Sequence, residues 1–336
     1  MLRLKTKKRF LYRYFILFLV IAFSLTSCNT KKEKNKTVKL NEVTRSIFYA
    51  PQYVALELGF FSDYGINVKL QSSEGSDKTM TALLSGGADV GLLGTSSILS
   101  VKSQGKQDCP VMFCQLTQKD GSFLVGREEN FCWENLKNRE VIAGRLGGVP
   151  EMVFEHILRS KNLYGKVNLI NNIKFDLMGI AFSRGIGDYV CLFEPMASIL
   201  QKEKSFYILK FLGNECEKIS YTGYCASKEY IEENPEIIQS FTNAIYKAQI
   251  WIENHNSSET AKLVLPYFVD CSEEILEKCI ERYKFSDVWN KSPLIERVQF
   301  ELLEDIMSDA GELKNKISFE DVIDNKFAND SLKFGK

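Results

Sequence analysis

The chain has 336 residues, of which 43 are Lys or Arg and 43 are Asp or Glu, so its formal net charge is zero. That length fits two domains of ordinary size or one large domain, and a hydrophobic fraction of 45% is enough for a full core. Residues 1–27 hold six basic and no acidic residues, so the remainder has 37 basic and 43 acidic residues. A mildly acidic body offers no basic stripe, which argues against binding to nucleic acid.

The N-terminal segment combines a basic start, an apolar run from Phe15 to Leu25 and small residues before Cys28. This order is typical of a secretory signal peptide over residues 1–27. It resembles the lipobox of bacterial lipoproteins, whose cysteine is acylated, for example with palmitate. This eleven-residue run, apolar except for Ser24, falls short of the roughly 20 apolar residues that span a bilayer, although an uncleaved anchor helix is the alternative. We expect lipidation of Cys28 and a tether over residues 28–37, which would hold the body at the extracytoplasmic face of the cell membrane.

Eight further cysteines and two histidines, His156 and His255, show no metal-ligand spacing and no CxxC pair. Several cysteines lie in apolar, strand-like contexts, where cysteine commonly acts as a small core residue. We therefore expect mostly buried free thiols, although an exported protein could oxidise some of them. The sequence predicts neither a metal site nor a cofactor.

The first part of the body alternates strands with helices. Strands are predicted at residues 38–40, 66–70, 88–93, 111–116 and 122–125, and helices at 52–61 and 76–85. Residues 94–97 (GTSS) open a further helix, in which Ser or Thr is a suitable N-cap. This alternation predicts an α/β fold with parallel sheet.

A second α/β unit begins near Trp133. Strands are predicted at residues 140–143, 167–170 and 188–193, and a helix is predicted to end near residues 180–183. A glycine-rich turn over residues 144–151 leads into another helix, whose first turn accommodates Pro150. From about Ser227 the chain is predicted to be helical almost to its end.

Three sequence blocks resemble one family in the same order: residues 48–61 (FYAPQYVALELGFF), 83–91 (LLSGGADVG) and 193–195 (FEP). They are similar to the substrate-binding proteins of ABC importers, in the branch for sulfonates, nitrate, taurine and thiamine-pyrimidine precursors. The resemblance implies a type II periplasmic-binding-protein fold, with a ligand cleft between two lobes and a helical C-terminal extension on lobe one. Lobe one would comprise residues 38–125 and 222–336, and lobe two residues 126–221. Its implied partners are a permease and its ATPase, and we expect a monomer.

The candidate binding residues follow predicted strands or lie near the presumed crossovers, because open α/β sheets bind ligands outside the carboxyl ends of their strands. They are Arg45, Phe48, Tyr49, Gly94, Thr95, Ser96, Gln115, Lys119, Gly147, Gly148, Glu194 and Tyr221. Phe48 and Tyr49 offer aromatic faces, and the carboxylate of Glu194 could accept hydrogen bonds from an amino group. Helix capping, a tight turn and the helix dipole explain several of the same residues equally well.

We expect a lipid-anchored solute receptor that closes over a small planar nitrogen heterocycle, such as a thiamine pyrimidine precursor. An aliphatic sulfonate, taurine or nitrate is the alternative ligand, which Arg45, Lys119 and Thr95 favour. Fungal pyrimidine synthases share the implied fold, but their active-site histidine and cysteine-rich iron motif have no match here. A ligand sensor is a further alternative. We therefore expect no catalytic residue and no enzyme activity.

Overall fold

The computed structural model describes residues 35–106, 108–203 and 205–334. Residues 1–27, Cys28 and most of the segment predicted as a tether lie outside the described residues, so the signal-peptide and lipidation interpretations stay predictions. In the part of the chain that the structure describes, no helix is both long and apolar enough to cross a membrane.

Ten strands in the described residues form two five-stranded sheets. The first sheet contains β1 (Lys36–Glu42), β2 (Ile66–Ser72), β3 (Val90–Gly94), β4 (Val111–Thr117) and β10 (Thr222–Ala226) in the order β2-β1-β3-β10-β4. The second contains β5 (Ser122–Gly126), β6 (Glu140–Ile142), β7 (Asn168–Ile170), β8 (Tyr189–Phe193) and β9 (Tyr207–Phe211) in the order β7-β6-β8-β5-β9. In each sheet the fourth strand in this order, β10 or β5, runs antiparallel to both of its neighbours.

Those two antiparallel strands follow the points where the chain passes from one sheet to the other. β5 pairs with β8 and β9 of the second sheet, whereas the predicted boundary after residue 125 assigned this strand to lobe one. The apolar sequence of β5 does not reveal which sheet it joins, because pairing partners are distant in the chain. We propose crossovers at residues 118–121 and 212–221.

Helices cover both sheets. Those of the first two-thirds are Ala50–Glu57, Phe60–Asp63, Ser76–Leu84, Thr95–Ser103, Val149–Ser160, Met178–Ser183 and Met196–Lys202. The C-terminal helices are Lys228–Glu233, Pro235–Asn254, Ser257–Val264, Glu273–Phe285, Arg297–Asp309, Phe319–Val322 and Lys326–Phe334. Short 3-10 turns lie at Ile47–Tyr49, Trp133–Leu136, Phe175–Leu177, Leu212–Asn214 and Leu265–Tyr267.

The structure differs from the local predictions in one helix interruption, one N-cap and three elements that were not predicted. The helix predicted over residues 52–61 is interrupted at Gly59, whose φ of 70° lies in the left-handed region. The predicted Ser or Thr N-cap is wrong, because Gly94 holds that position without a side-chain bond and the Thr95 hydroxyl pairs with Ser220 instead. Strands β9 and β10 and the helix Met196–Lys202 were not predicted, since each is short and lacks a clear start signal.

The helix Glu273–Phe285 carries Arg282 and Tyr283, whose side chains contact lobe two. Ser272 caps it by accepting a hydrogen bond from the Ile275 N–H, and both acidic residues of the first turn suit the helix dipole. Arg282 lies in its last turn, where a cation is favourable. Sequence alone therefore accounts for the helix and for the end at which Arg282 lies.

Eight cysteines lie in the described residues, and all are free. Five are buried: Cys109, Cys114, Cys191, Cys225 and Cys279. Burial raises the pKa of the Cys109 thiol to about 11. These thiols therefore act as small core residues of low reactivity.

The longest C-terminal helix is anchored on the first lobe by Phe241, which is 0% exposed and packs its ring against Phe61, Phe113 and Tyr224. Phe241→Ala would leave a cavity among these rings and should lower the free energy of unfolding by about 3–5 kcal/mol. Urea denaturation of the full-length protein in detergent measures this. Phe285→Ala is the matched control, because Phe285 is 90% exposed and its loss should change the value by no more than about 0.5 kcal/mol. Equal losses would contradict the packing role.

Candidate functional site

The carboxyl ends of strands from the two sheets meet beside the crossovers. Phe48 follows β1, and its ring meets that of Phe193, the last residue of β8, edge-on at 5.3 Å between centroids. Gly94, at the end of β3, lies opposite Val149: a Cβ added to Gly94 would be 3.8 Å from Val149 Cγ2. This is the edge at which α/β proteins bind ligands.

An aromatic cluster occupies the centre of this edge. We call Phe48, Tyr49, Phe193, Tyr221 and Tyr283 the aromatic seam. The Phe48 ring lies 5.5 Å from Tyr221, 5.6 Å from Tyr283 and 5.7 Å from Tyr49. These centroid separations fall in the range where aromatic rings attract one another edge-on. The seam joins residues of both lobes, with Phe193 as its member from lobe two.

Gly121, in the first crossover, is enclosed by the seam. A Cβ at this position would lie 2.4 Å from Phe48 Cε2 and 2.9 Å from Phe193 Cε1, closer than nonbonded carbon atoms approach. Its carbonyl also accepts a hydrogen bond from the Tyr283 hydroxyl at 3.0 Å. Only glycine allows the crossover and the two rings to share this space.

Glu194 follows Phe193 and is fully bonded in this arrangement. One carboxylate oxygen accepts from the Ser198 N–H at 2.9 Å, and the other accepts from the Ser198 hydroxyl at 3.0 Å. Arg282 Nη1 approaches the latter oxygen at 2.6 Å. Glu194 thus precedes the N-cap Pro195 and accepts from the first turn of the helix Met196–Lys202, which was the structural alternative for this residue, and its carboxylate also pairs with a cation from the other lobe.

Arg282 and Tyr283 together link lobe one to lobe two. Besides Glu194, the Arg282 guanidinium donates to Ser198 Oγ at 2.7 Å and to Gln201 Oε1 at 2.6 Å. The Tyr283 hydroxyl accepts from the Glu194 N–H at 3.0 Å. Sequence reasoning missed both residues, because nothing in the helical pattern of residues 273–285 shows which face meets the other lobe.

Arg45 lies at the edge of the site and is paired within its own lobe. Its Nε donates to the buried carboxylate of Glu42 at 2.9 Å, and its guanidinium lies over the rings of Tyr53 and Tyr267. Gln52 and Tyr53 also donate to Glu42. Burial raises the pKa of Glu42, and these hydrogen bonds oppose that shift.

Three other candidates face the interior of lobe one or the crossovers. The Thr95 hydroxyl bonds to Ser220 Oγ at 2.8 Å, and the Gln115 amide donates to Gln299 Oε1 at 2.9 Å. Lys119 donates to Asn214 and to the Ser286 carbonyl, and burial lowers its pKa. The Thr95 hydroxyl, the Gln115 amide N–H and the Lys119 ammonium are therefore used in internal contacts, whereas the buried Gln115 Oε1 has no hydrogen-bond partner among the described residues.

Tyr221 combines a seam ring with a buried polar contact in the second crossover. Its hydroxyl donates to Asp120 Oδ2 at 2.8 Å. Burial raises the pKa of both groups, and the neighbouring Asp120 charge raises that of Tyr221 further. This pair joins the two crossovers at the base of the cleft.

The structure brings most of the predicted residues to one region. Phe48, Tyr49 and Tyr221 meet in the seam, and Gly94 faces Val149 across the cleft with Ser96 beside it in its own lobe. Gly147 and Gly148 lie in the turn before that residue, and Gly147 faces Glu312 of lobe one. Whether each contacts a ligand stays a prediction.

Residues 47–258, more than half of the chain, match the family described as NMT1/THI5 like. The chain belongs to this family. A relative from Bacillus subtilis (strain 168), YtlA, is 39% identical over 312 residues, which is 92% of this chain and 93% of that protein. YtlA is named as a candidate binding protein.

Solved structures show the fold that this NMT1/THI5-like chain adopts. The alkanesulfonate-binding protein SsuA from Xanthomonas axonopodis pv. citri, bound to MOPS, superimposes with a TM-score of 0.70 at 11% identity, covering 86% of this chain and 98% of that one. The periplasmic nitrate-binding protein NrtA from Synechocystis PCC 6803 gives 0.69 at 15% identity and 89% of each chain. The two-lobe periplasmic-binding-protein fold predicted from the sequence is confirmed.

The Arg282–Glu194 ion pair should contribute to lobe contact, because the Glu194 carboxylate is completely buried. Arg282→Met would leave that carboxylate without its cation, and we expect the free energy of unfolding to fall by about 3 kcal/mol. Urea denaturation of the full-length protein in detergent gives this value.

Lys278→Met is the matched control on the same helix. Lys278 pairs with Glu274 at the surface, and such exposed pairs contribute little to stability, because solvent screens their charges. If the Arg282 and Lys278 variants were equally stable, the ion pair between the lobes would not stabilise this arrangement.

Proposed function

We propose that this NMT1/THI5-like protein is the substrate-binding component of an ABC importer, and that its ligand is a small planar nitrogen heterocycle such as a thiamine pyrimidine precursor. The aromatic seam is the observation that carries the proposal. It places flat apolar faces from both lobes at the edge where α/β sheets bind ligands. The names of YtlA, SsuA and NrtA describe binding proteins, which supports binding over enzyme activity.

The bonding of the cationic candidates favours a heterocycle over an anion. Arg45 is paired with Glu42, and Lys119 is bound to Asn214 and the Ser286 carbonyl. The Arg282 guanidinium is bound to Glu194 and Gln201. A sulfonate or nitrate would have to compete with these partners, whereas a heterocycle needs only ring faces and a few polar contacts.

Lobe closure is the proposed mechanism. A ligand shifts a hinge equilibrium only as far as it binds one state more tightly than the other. Phe48 in lobe one and Phe193 in lobe two are in contact in this structure. A planar ligand that touches both aromatic surfaces would therefore favour the closed state. No covalent step and no cofactor are required.

The proposed cellular setting follows from the N-terminal segment. An acylated Cys28 and the tether predicted over residues 28–37, whose last two residues begin β1, would hold a monomer beside its permease and ATPase on the extracytoplasmic face. A single acyl chain binds membranes only marginally, so more than one chain would be needed for stable anchoring.

A thermal-shift titration of the full-length protein in detergent tests the ligand class. We expect 4-amino-5-hydroxymethyl-2-methylpyrimidine to raise the melting temperature, because a ligand at 100 times its Kd stabilises the native state by about 2.7 kcal/mol. Taurine and nitrate should give no shift at the same concentration. The opposite pattern would show that the ligand is an anion.

Phe48→Ala provides the site control for this titration. Removal of the central ring of the seam should weaken pyrimidine binding by at least about tenfold, since buried aromatic anchors carry much of a binding energy. The exposed Phe285→Ala variant should bind as the wild type does. Equal binding by all three proteins would place the ligand elsewhere.

A further inference from the structure

Glu151 is a buried acid with one unused oxygen. It lies in the first turn of the helix Val149–Ser160, and its residue is only 2% exposed. Its Oε2 accepts a hydrogen bond from the Gly147 N–H at 3.3 Å, which holds the glycine-rich turn against the helix start. Its Oε1 is buried and has no hydrogen-bond partner among the described residues. Helix capping therefore explains one oxygen of this carboxylate and leaves the other unexplained.

Among the described residues, no cation pairs with the Glu151 carboxylate. Glu155 lies one turn along the same helix, and Glu312 approaches from lobe one. Arg159 is bound to Glu155 Oε2 at 3.2 Å and to the Asp309 carbonyl at 2.8 Å. Burial and the charges of Glu155 and Glu312 raise the pKa of Glu151, while the hydrogen bond from the Gly147 N–H and the neighbouring Asn171 side chain oppose the shift. An acid in this environment costs stability, because its charged form is poorly solvated.

Glu151 also lies where the lobes come together. Val149, two residues earlier, faces Gly94 at the end of β3. Gly147, which donates to Glu151, faces Glu312: a Cβ added to Gly147 would be 3.1 Å from Glu312 Oε1. Glu151 therefore lies at the turn that follows β6, on the same carboxyl edge of the strands as the aromatic seam.

The comparison with Glu194 points to a division of roles. Glu194 accepts from Ser198 and from Arg282, so its carboxylate is satisfied by protein groups alone. Glu151 has the same chemistry, comparable burial and an acceptor that protein groups do not use. A ligand that carries an N–H donor would complete it.

We propose that Glu151 is the acidic subsite of the cleft and accepts a hydrogen bond from an amino or amidine-like N–H group of the bound heterocycle. This inference rests on the proposed function and adds the recognised group and the residue that recognises it. A carboxylate acceptor strengthens such a bond, because hydrogen bonds to ionised groups are stronger than neutral ones. It would also reject sulfonate and nitrate, whose oxygens it would repel.

The test uses Glu151→Gln, which keeps the side-chain shape and an oxygen for the Gly147 N–H. Isothermal titration of the full-length protein in detergent compares two probes: 4-amino-5-hydroxymethyl-2-methylpyrimidine and the same pyrimidine without its 4-amino group. For the variant, we expect the affinity for the amino probe to fall at least about tenfold and that for the second probe to change by less than about twofold. Glu155→Gln, the same change one turn along the helix, should leave both affinities within about twofold of the wild type.

A second measurement shows that the variant is folded and distinguishes a binding role from a structural one. The pKa of Glu151 is raised in the folded protein, so the stability that its protonated form contributes is lost as the pH rises from the ordinary pKa of an unfolded Glu through the raised value. At pH 7, Glu151→Gln should therefore have a melting temperature equal to or above that of the ligand-free wild type. If Glu151 instead supported the fold, the Glu151→Gln variant would have a lower melting temperature and a lower affinity for both probes.

The outcomes separate the two proposals. Binding of the amino probe by Glu151→Gln at wild-type affinity overturns the Glu151 subsite and leaves the proposed function standing. Equal loss of both probes, or a lowered melting temperature, also overturns it in favour of a structural role. If the wild-type protein binds neither pyrimidine, the proposed heterocycle ligand fails, and the subsite fails with it.

Discussion

The contact between Phe48, Phe193 and the bare backbone of Gly121 is the constraint on which the cleft depends. Each ring comes from a different lobe, and the crossover packs against both rings at a distance that a side chain would prevent. Tyr283 then bonds to the Gly121 carbonyl and the Glu194 N–H, and Arg282 bonds to the Glu194 carboxylate. Close packing of the rings thus fixes where the polar groups of the two lobes meet.

Buried acids around this contact differ in how completely they are satisfied. Glu42 accepts from Arg45, Gln52 and Tyr53, and Asp120 accepts from Ser122 and Tyr221. Glu151 retains an unused oxygen. Buried polar groups without partners are uncommon in native proteins, and those that persist are concentrated where function requires them. Glu42 and Asp120 are therefore fully used in internal hydrogen bonds, whereas Glu151 keeps the acceptor that we propose binds the ligand.

Much of the architecture could be predicted from local signals. The alternation of strands and helices, the stop at Gly86 and Gly87 and the turn before Pro150 follow from backbone chemistry, and three short blocks indicated the family. The lobe boundary, β9 and β10 could not be placed, because a short apolar strand such as β5 does not reveal its pairing partner. Among the site residues, Phe48, Tyr49 and Tyr221 were predicted and do meet, while Arg282, Tyr283 and Glu151 were missed.

The sequence by itself determined the class of fold, the family and the segments that follow each strand, since these depend on hydrophobic period, turn residues and motif order within short stretches. Only the tertiary structure decided which charged groups already have partners. Glu194 and Arg282 are 88 positions apart and Phe48 and Trp289 are 241 apart, yet each pair is hydrogen-bonded. Burial and pairing are properties of the packed chain, so no local pattern could show that Glu194 is satisfied while Glu151 keeps a free acceptor.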